Sequence, residues 1–126
     1  EGRIDWPIGR HIRHGERISV KTKKPRHAET LYAVIKEYGE FTLLKIRPLT
    51  GRTHQIRVHL SASGHPIVGD SRYGRRRSKF RNPRLFLHSS KLLFTHPGTK
   101  KKVEFCSPLA EDLESFLQKI DRTYLK

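Results

Sequence analysis

Glu29-Thr30-Leu31-Tyr32-Ala33-Val34-Ile35-Lys36-Glu37-Tyr38, then Gly39-Glu40, then Phe41-Thr42-Leu43-Leu44-Lys45-Ile46-Arg47 is the stretch that decides the fold. β-Branched and aromatic residues fill both runs, which suits a pleated, half-buried surface. Gly39 supplies a turn between them, so the two runs are predicted to pair as an antiparallel hairpin.

On the N-terminal side, residues 3–8 alternate and then meet Pro7, the pattern of a short edge strand. Residues 9–17 are polar and read as a loop. Ile18 and Val20 alternate with polar neighbours as a second short strand, and residues 21–26 form a basic loop. Beyond the hairpin, Pro48 to Gly51 breaks the pattern. Thr53 can cap a helix running to about Ser63, with Ile56 and Leu60 one turn apart and Gly64 and Pro66 at its end. Residues 71–84 are an extended basic loop, almost without apolar content. Strand character resumes over 85–95, turns at His96-Pro97-Gly98-Thr99 and returns over 101–106. Ser107 and Pro108 are the expected start of a last helix, with Leu109, Leu113, Phe116, Leu117 and Ile120 on one face. The predicted class is α+β, a mostly antiparallel sheet with a few helices.

The 126 residues suffice for one modest domain. Lys and Arg number 27 against 12 Asp and Glu, a net charge of +15. Such a field draws in polyanions; nucleic acid is the default partner, with an anionic membrane surface as the rival. No apolar run reaches the ~18 residues a spanning helix requires, so no membrane partner is expected. The single cysteine, Cys106, excludes an intrachain disulfide and a Cys-based metal site. His54, His59 and His65 have no Cys or carboxylate at metal-ligand spacing, so no metal is expected. A cytoplasmic location fits the lone cysteine and the lack of a secretory signal.

The densest chemistry lies just after the hairpin, in Arg47-Pro48-Leu49-Thr50-Gly51-Arg52-Thr53-His54-Gln55-Ile56-Arg57-Val58-His59-Leu60. A glycine turn entering a helix offers free backbone N–H groups to an anion. Arg57, one turn inside that helix, carries a planar fork suited to a carboxylate or a phosphate.

This motif, with Gly64-His65-Pro66-Ile67-Val68-Gly69-Asp70 and Tyr73-Gly74 after it, resembles the RluA-type RNA pseudouridine synthases. Residues 1–10, Arg84-Leu85-Phe86-Leu87-His88 and Phe94-Thr95-His96-Pro97 extend the resemblance over nearly the whole chain; 10–28 match least well. It implies isomerisation of uridine in structured RNA, rRNA or tRNA, with no cofactor. In that family an aspartate attacks the flipped nucleotide, a tyrosine lies against the base, and an arginine pairs with the aspartate. Arg57 matches the arginine and is the catalytic candidate. The pairing has a physical logic, since a guanidinium keeps a pocketed carboxylate ionised. Arg52, Thr53, His54 and Gln55 at the helix start are candidate substrate-binding residues, with solvated loop residues as the alternative. Arg75, Arg76 and Arg77 in the basic loop are candidates for the RNA backbone.

The family's aspartate sits in a His-Arg-Leu-Asp-type motif, and no such segment is found here; the tyrosine's segment is missing as well. The chain also begins at Glu1 and contains no methionine. The expectation is therefore the C-terminal portion of a catalytic domain, residues 1–126, lacking the N-terminal portion with the aspartate and inactive alone. Gly2-Arg3-Ile4-Asp5 is a decoy, because Trp6-Pro7-Ile8-Gly9 follows it rather than small residues and glycine. His59 and His65 are read as structural, and Asp70, after Gly69, as satisfying local backbone donors. Arg57 is expected beside an open cleft, without its carboxylate. Two rival readings stand beside the enzyme: a non-catalytic basic RNA-binding fragment and an unrelated basic nucleic-acid protein. The sequence is silent on oligomeric state.

Overall fold

The structure is a computed structural model that describes residues 1–15, 17–74 and 84–124. The chain forms two compact units, Glu1–Leu85 and Phe86–Lys126.

In the first unit, β4 (Thr30–Tyr38) and β5 (Phe41–Pro48) make the predicted hairpin, with Thr30 opposite Pro48 and Tyr38 opposite Phe41. Gly39 turns between them at φ 64°, a left-handed conformation that glycine adopts without strain. β1 (Gly2–Ile4) pairs with the other edge of β4, giving an antiparallel sheet in the order β1-β4-β5. Gly2 faces Tyr32 so closely that a Cβ would fall inside the phenol ring. Val34 pairs with Leu44 and Lys36 with Leu43, so Ile35 is the extra residue of a β-bulge. Val34 and Ile35 are 50% and 59% exposed.

The expected edge strand over residues 3–8 ends at Ile4. Ile8 instead forms a bridge to Arg26, trading backbone hydrogen bonds of 3.0 Å in both directions. The loop expected over 9–17 begins as strand: β2 (Gly9–Arg10) pairs with β3 (Ile18–Ser19). Backbone pairing holds this ribbon where apolar alternation is too short to announce it.

Helix α1 spans Gln55–Ala62, and His54, not Thr53, is its N-cap. His54 sits at φ 53°, ψ 24°, unusual for a non-glycine residue and for an N-cap. The reason is the tight turn before the helix, where the Gln55 N–H donates to the Arg52 carbonyl at 3.0 Å. Helical bonding then starts with Val58 N–H to the His54 carbonyl, 2.9 Å. The core beneath is Ile8, Ala28 and Val58, with Ile18, Val20 and Tyr73 packed against it.

In the second unit, β6 (Lys91–Thr95) and β7 (Lys102–Cys106) form an antiparallel ribbon. β6 is shorter than the 85–95 expected. Leu92, Leu93 and Phe94 on β6 and Phe105 on β7 all stand exposed, and the rings of Phe94 and Phe105 stack at 6.0 Å. Helix α2 (Glu111–Tyr124) starts three residues later than Pro108 suggested. Its buried residues, Leu113, Phe116 and Ile120, follow the predicted stripe. Phe86 lies against Phe116 with ring centroids 5.9 Å apart.

Candidate functional site: an arginine held on a helix

Residues 70–74 form a turn that closes over α1. The Asp70 carbonyl accepts the Gly74 N–H at 3.0 Å, and a Cβ on Gly74 would collide with that oxygen. Inside the turn, Asp70 Oδ1 accepts the backbone N–H groups of Arg72 and Tyr73, each at 3.0 Å. That is the local role expected of it.

Asp70 does more. Its Oδ1 accepts Arg57 Nη2–H at 2.8 Å and its Oδ2 accepts Arg57 Nε–H at 3.0 Å. This is a bidentate fork, the strongest geometry open to this pair. The Asp70 side chain is fully buried, whereas that of Arg57 is 20% exposed. Burial pushes the Asp70 carboxyl up, but the Arg57 hydrogen bond, the two backbone donors and the Arg57 charge outweigh it and hold it below the ordinary carboxylate range. The hydrogen bond to Asp70 in turn holds the Arg57 proton more tightly than usual. Arg57 thus has a carboxylate partner within the chain, Asp70, which is not the aspartate of the family's His-Arg-Leu-Asp-type motif.

Tyr73 completes the setting. Its ring lies over the guanidinium, 5.0 Å from Cζ to the centroid. Its hydroxyl is within 2.8 Å of His54 Nδ1 and accepts the Ile18 N–H at 3.4 Å. Which of the two donates in the His54–Tyr73 bond depends on the imidazole tautomer. Burial, then the charges of Arg57 and Arg72, lower the His54 pKa below its ordinary 6.5, favouring the neutral imidazole.

A pH dependence follows. The unfolded chain takes up a proton at His54 near its ordinary pKa, while the folded chain resists it. Stability is therefore intact above about pH 6.5 and falls as pH drops toward the lower folded value. Between about pH 7.5 and about pH 5.5, His54→Gln should lose less melting temperature than the wild-type chain. An equal loss in both would detach His54 from this effect.

The other candidates are placed differently. Gln55 is buried, and its amide is fully engaged within the fold. Its Oε1 accepts the Thr50 hydroxyl at 2.6 Å and the Arg52 N–H at 3.0 Å. Its Nε2 donates to the Glu29 carbonyl and to Thr30 Oγ1, both at 2.9 Å. The expectation that Gln55 touches substrate is revised, because no donor or acceptor on it remains to be offered. His59 extends the network: Nε2 donates to the Trp6 carbonyl and Nδ1 meets Thr30 Oγ1, each at 2.8 Å. Arg52 Nε–H donates to the His27 carbonyl at 2.7 Å, and Thr53 is exposed in the turn. Arg75, Arg76 and Arg77 lie outside the described residues. Asp5 is exposed and pairs with Arg3 at 3.4 Å, away from this site. A hollow of about 350 Å³ is lined by Trp6, Pro7, Val20 and Ala62; the lining does not include Arg57. Among the described residues no group of three or more His, Cys, Asp or Glu is placed to hold a metal ion, and no helix is long and apolar enough to cross a membrane.

The pair at Arg57 and Asp70 was hidden from the sequence because the two residues lie 13 positions apart across a helix end and a turn. The quoted motif did contain both, together with Tyr73 and Gly74.

The family described as RNA pseudouridylate synthase matches residues 1–62. An uncharacterized RNA pseudouridine synthase of Chloroflexus aurantiacus is 44% identical over 119 residues, covering 94% of this chain and 37% of that protein. The chain belongs to the RluA-type RNA pseudouridine synthases. Ribosomal large subunit pseudouridine synthase C of Escherichia coli is 41% identical over 125 residues, 93% of this chain and 39% of that one. Among solved structures, human RNA Pseudouridylate Synthase Domain Containing 1 superposes with a TM-score of 0.67 at 30% identity, over 94% of this chain and 58% of that one. Human RNA Pseudouridylate Synthase Domain Containing 4 shares the fold, with a TM-score of 0.71 at 21% identity, over 94% of this chain and 56% of that one. The α+β class read from the sequence agrees with these neighbours. The chain spans about two fifths of the length of the curated relatives.

Proposed function

We propose that these residues form part of an enzyme that isomerises uridine to pseudouridine in structured RNA, rRNA or tRNA, in the cytoplasm and without metal or cofactor. The observation that carries this reading is Arg57: a guanidinium locked by edge and face, within a motif shared with the family. Its remaining Nη1/Nη2 edge is the natural seat for the carboxylate that attacks the nucleotide. Among the described residues the carboxylate at Arg57 is Asp70, and both oxygens of Asp70 are engaged in the fold. In this reading the reacting carboxylate is supplied by a segment outside these 126 residues, the His-Arg-Leu-Asp-type motif that the resemblance calls for, and the chain alone is inactive. His54, and Arg52 and Thr53 in the neighbouring turn, are candidates to contact the nucleotides around the target. Arg75, Arg76 and Arg77 are candidates for the phosphate backbone.

The test has two arms. A complete protein carrying these residues should form pseudouridine in rRNA or tRNA, and the chain alone should form none above background. The chain alone should still bind RNA, with log K falling against log salt at a slope near about −3.5 for roughly five phosphate contacts. Replacing Arg75, Arg76 and Arg77 by Ala should flatten that slope. RNA binding without isomerisation by the complete protein would favour the second reading, a basic RNA-binding module, which the charge of +15 also supports.

A further inference from the structure

We infer that Asp70 is a positioning residue for the reaction, holding Arg57 by one edge so that the opposite edge faces the reacting carboxylate. The inference rests on the functional reading above. It goes beyond it by giving a task to a residue that never meets substrate.

The atoms assign the task. Oδ1 of Asp70 takes three donors, from Arg57 Nη2, Arg72 N and Tyr73 N, while Oδ2 takes Arg57 Nε. The guanidinium thus shares one oxygen with the backbone of the turn, which ties its orientation to the path of residues 70–74. Tyr73 lies over one face of the guanidinium and is itself tethered to His54 and to Ile18 N. A rigid planar cation held along one edge and over one face presents its other edge in a fixed direction. The fixed edge can engage two coplanar oxygens without an ordering step when the partner arrives. A loose arginine would have to find that pose each time. Asp70 is too enclosed to be the nucleophile, since its side chain has no exposed surface.

Asp70→Asn is a selective probe. The amide oxygen can replace Oδ1, keeping its two bonds from the backbone N–H groups of Arg72 and Tyr73 that shape the turn. The NH₂ group replaces Oδ2 and turns a donor toward Arg57 Nε–H, so the guanidinium is pushed off. In a complete protein carrying these residues, kcat for pseudouridine formation should fall about 100-fold, the scale of a small misplacement. KM for RNA should stay within about threefold, or fall, because a negative charge near a polyanion has been removed. In an Arg57→Gln background the same change should have no further effect, the non-additivity expected of residues that act as one unit. Asp70→Glu keeps the charge and adds one methylene; it should also lower kcat while leaving the turn intact, and it serves if Asp70→Asn does not fold. Wild-type kcat in either folded variant overturns the proposal, and so does an Asp70→Asn loss that persists undiminished in Arg57→Gln. A wild-type complete protein that forms no pseudouridine overturns the functional reading, and this proposal with it.

Discussion

Gln55→Ala destabilises the first unit by about 3–5 kcal/mol, a large share of the roughly 5–15 kcal/mol that holds a small domain together. The magnitude comes from what is left behind. The amide serves four partners: the Thr50 hydroxyl, the Arg52 N–H, the Glu29 carbonyl and Thr30 Oγ1. A buried polar group stranded without a partner costs about 1–3 kcal/mol, and truncation strands several at once. The methyl group also leaves a void where the amide lay. Thr30 would lose the donor that frees its own hydroxyl proton for His59 Nδ1, so the disturbance runs on to the Trp6 carbonyl. Thermal unfolding should show a drop of more than about 12 °C. Thr53→Ala, in the same turn but exposed, should change melting by no more than a surface substitution does, about 0.5 kcal/mol. A Gln55→Ala chain that melts like the wild type would mean that the network is dispensable.

Arg57→Lys gives the opposite division of effects. In a complete protein carrying these residues, pseudouridine formation should fall about 10²–10³-fold, while stability falls by only about 1–2 kcal/mol. An ammonium can still pair with Asp70 through one bond, so the buried carboxylate is not abandoned. It cannot hold two oxygens along one edge and offer a second flat edge opposite. The lost activity should lie in kcat. Activity within about fivefold of wild type would remove Arg57 from the reaction, and a loss of stability as large as that of Gln55→Ala would make its role structural.

The elements that sequence exposes are those whose signal is local. The 30–38 and 41–48 strands carry β-branched and aromatic residues on both sides of a glycine, and the α2 stripe repeats at helical spacing. Helix α1 was less legible because its buried face is partly polar. The apolar pair Ile56 and Leu60 suggested the stripe, yet Gln55 and His59 are buried with Val58 and Leu60. The Nε2 partners of Gln55 and both partners of His59 sit 25 to 53 residues away, so no local pattern announces that the amide and the imidazole are satisfied. The N-cap moved from Thr53 to His54 for a similar reason. A left-handed histidine is stable there because the preceding turn and Tyr73 both fix it. At the site, the motif identified Arg57, and only packing identified what holds it.

The β6–β7 ribbon bears on how the chain behaves in solution. Leu93 and Phe105 are each 58% exposed, with Leu92 and Phe94 beside them. Strands this short and this apolar, bare in water, are templates for one another, and the like-charge repulsion of a chain at +15 opposes that pairing. Salt weakens that repulsion over a Debye length of about 8–10 Å at physiological strength. Colloidal behaviour should therefore invert the usual expectation for a basic protein: added salt, which loosens its hold on RNA, should drive the free chain into aggregates.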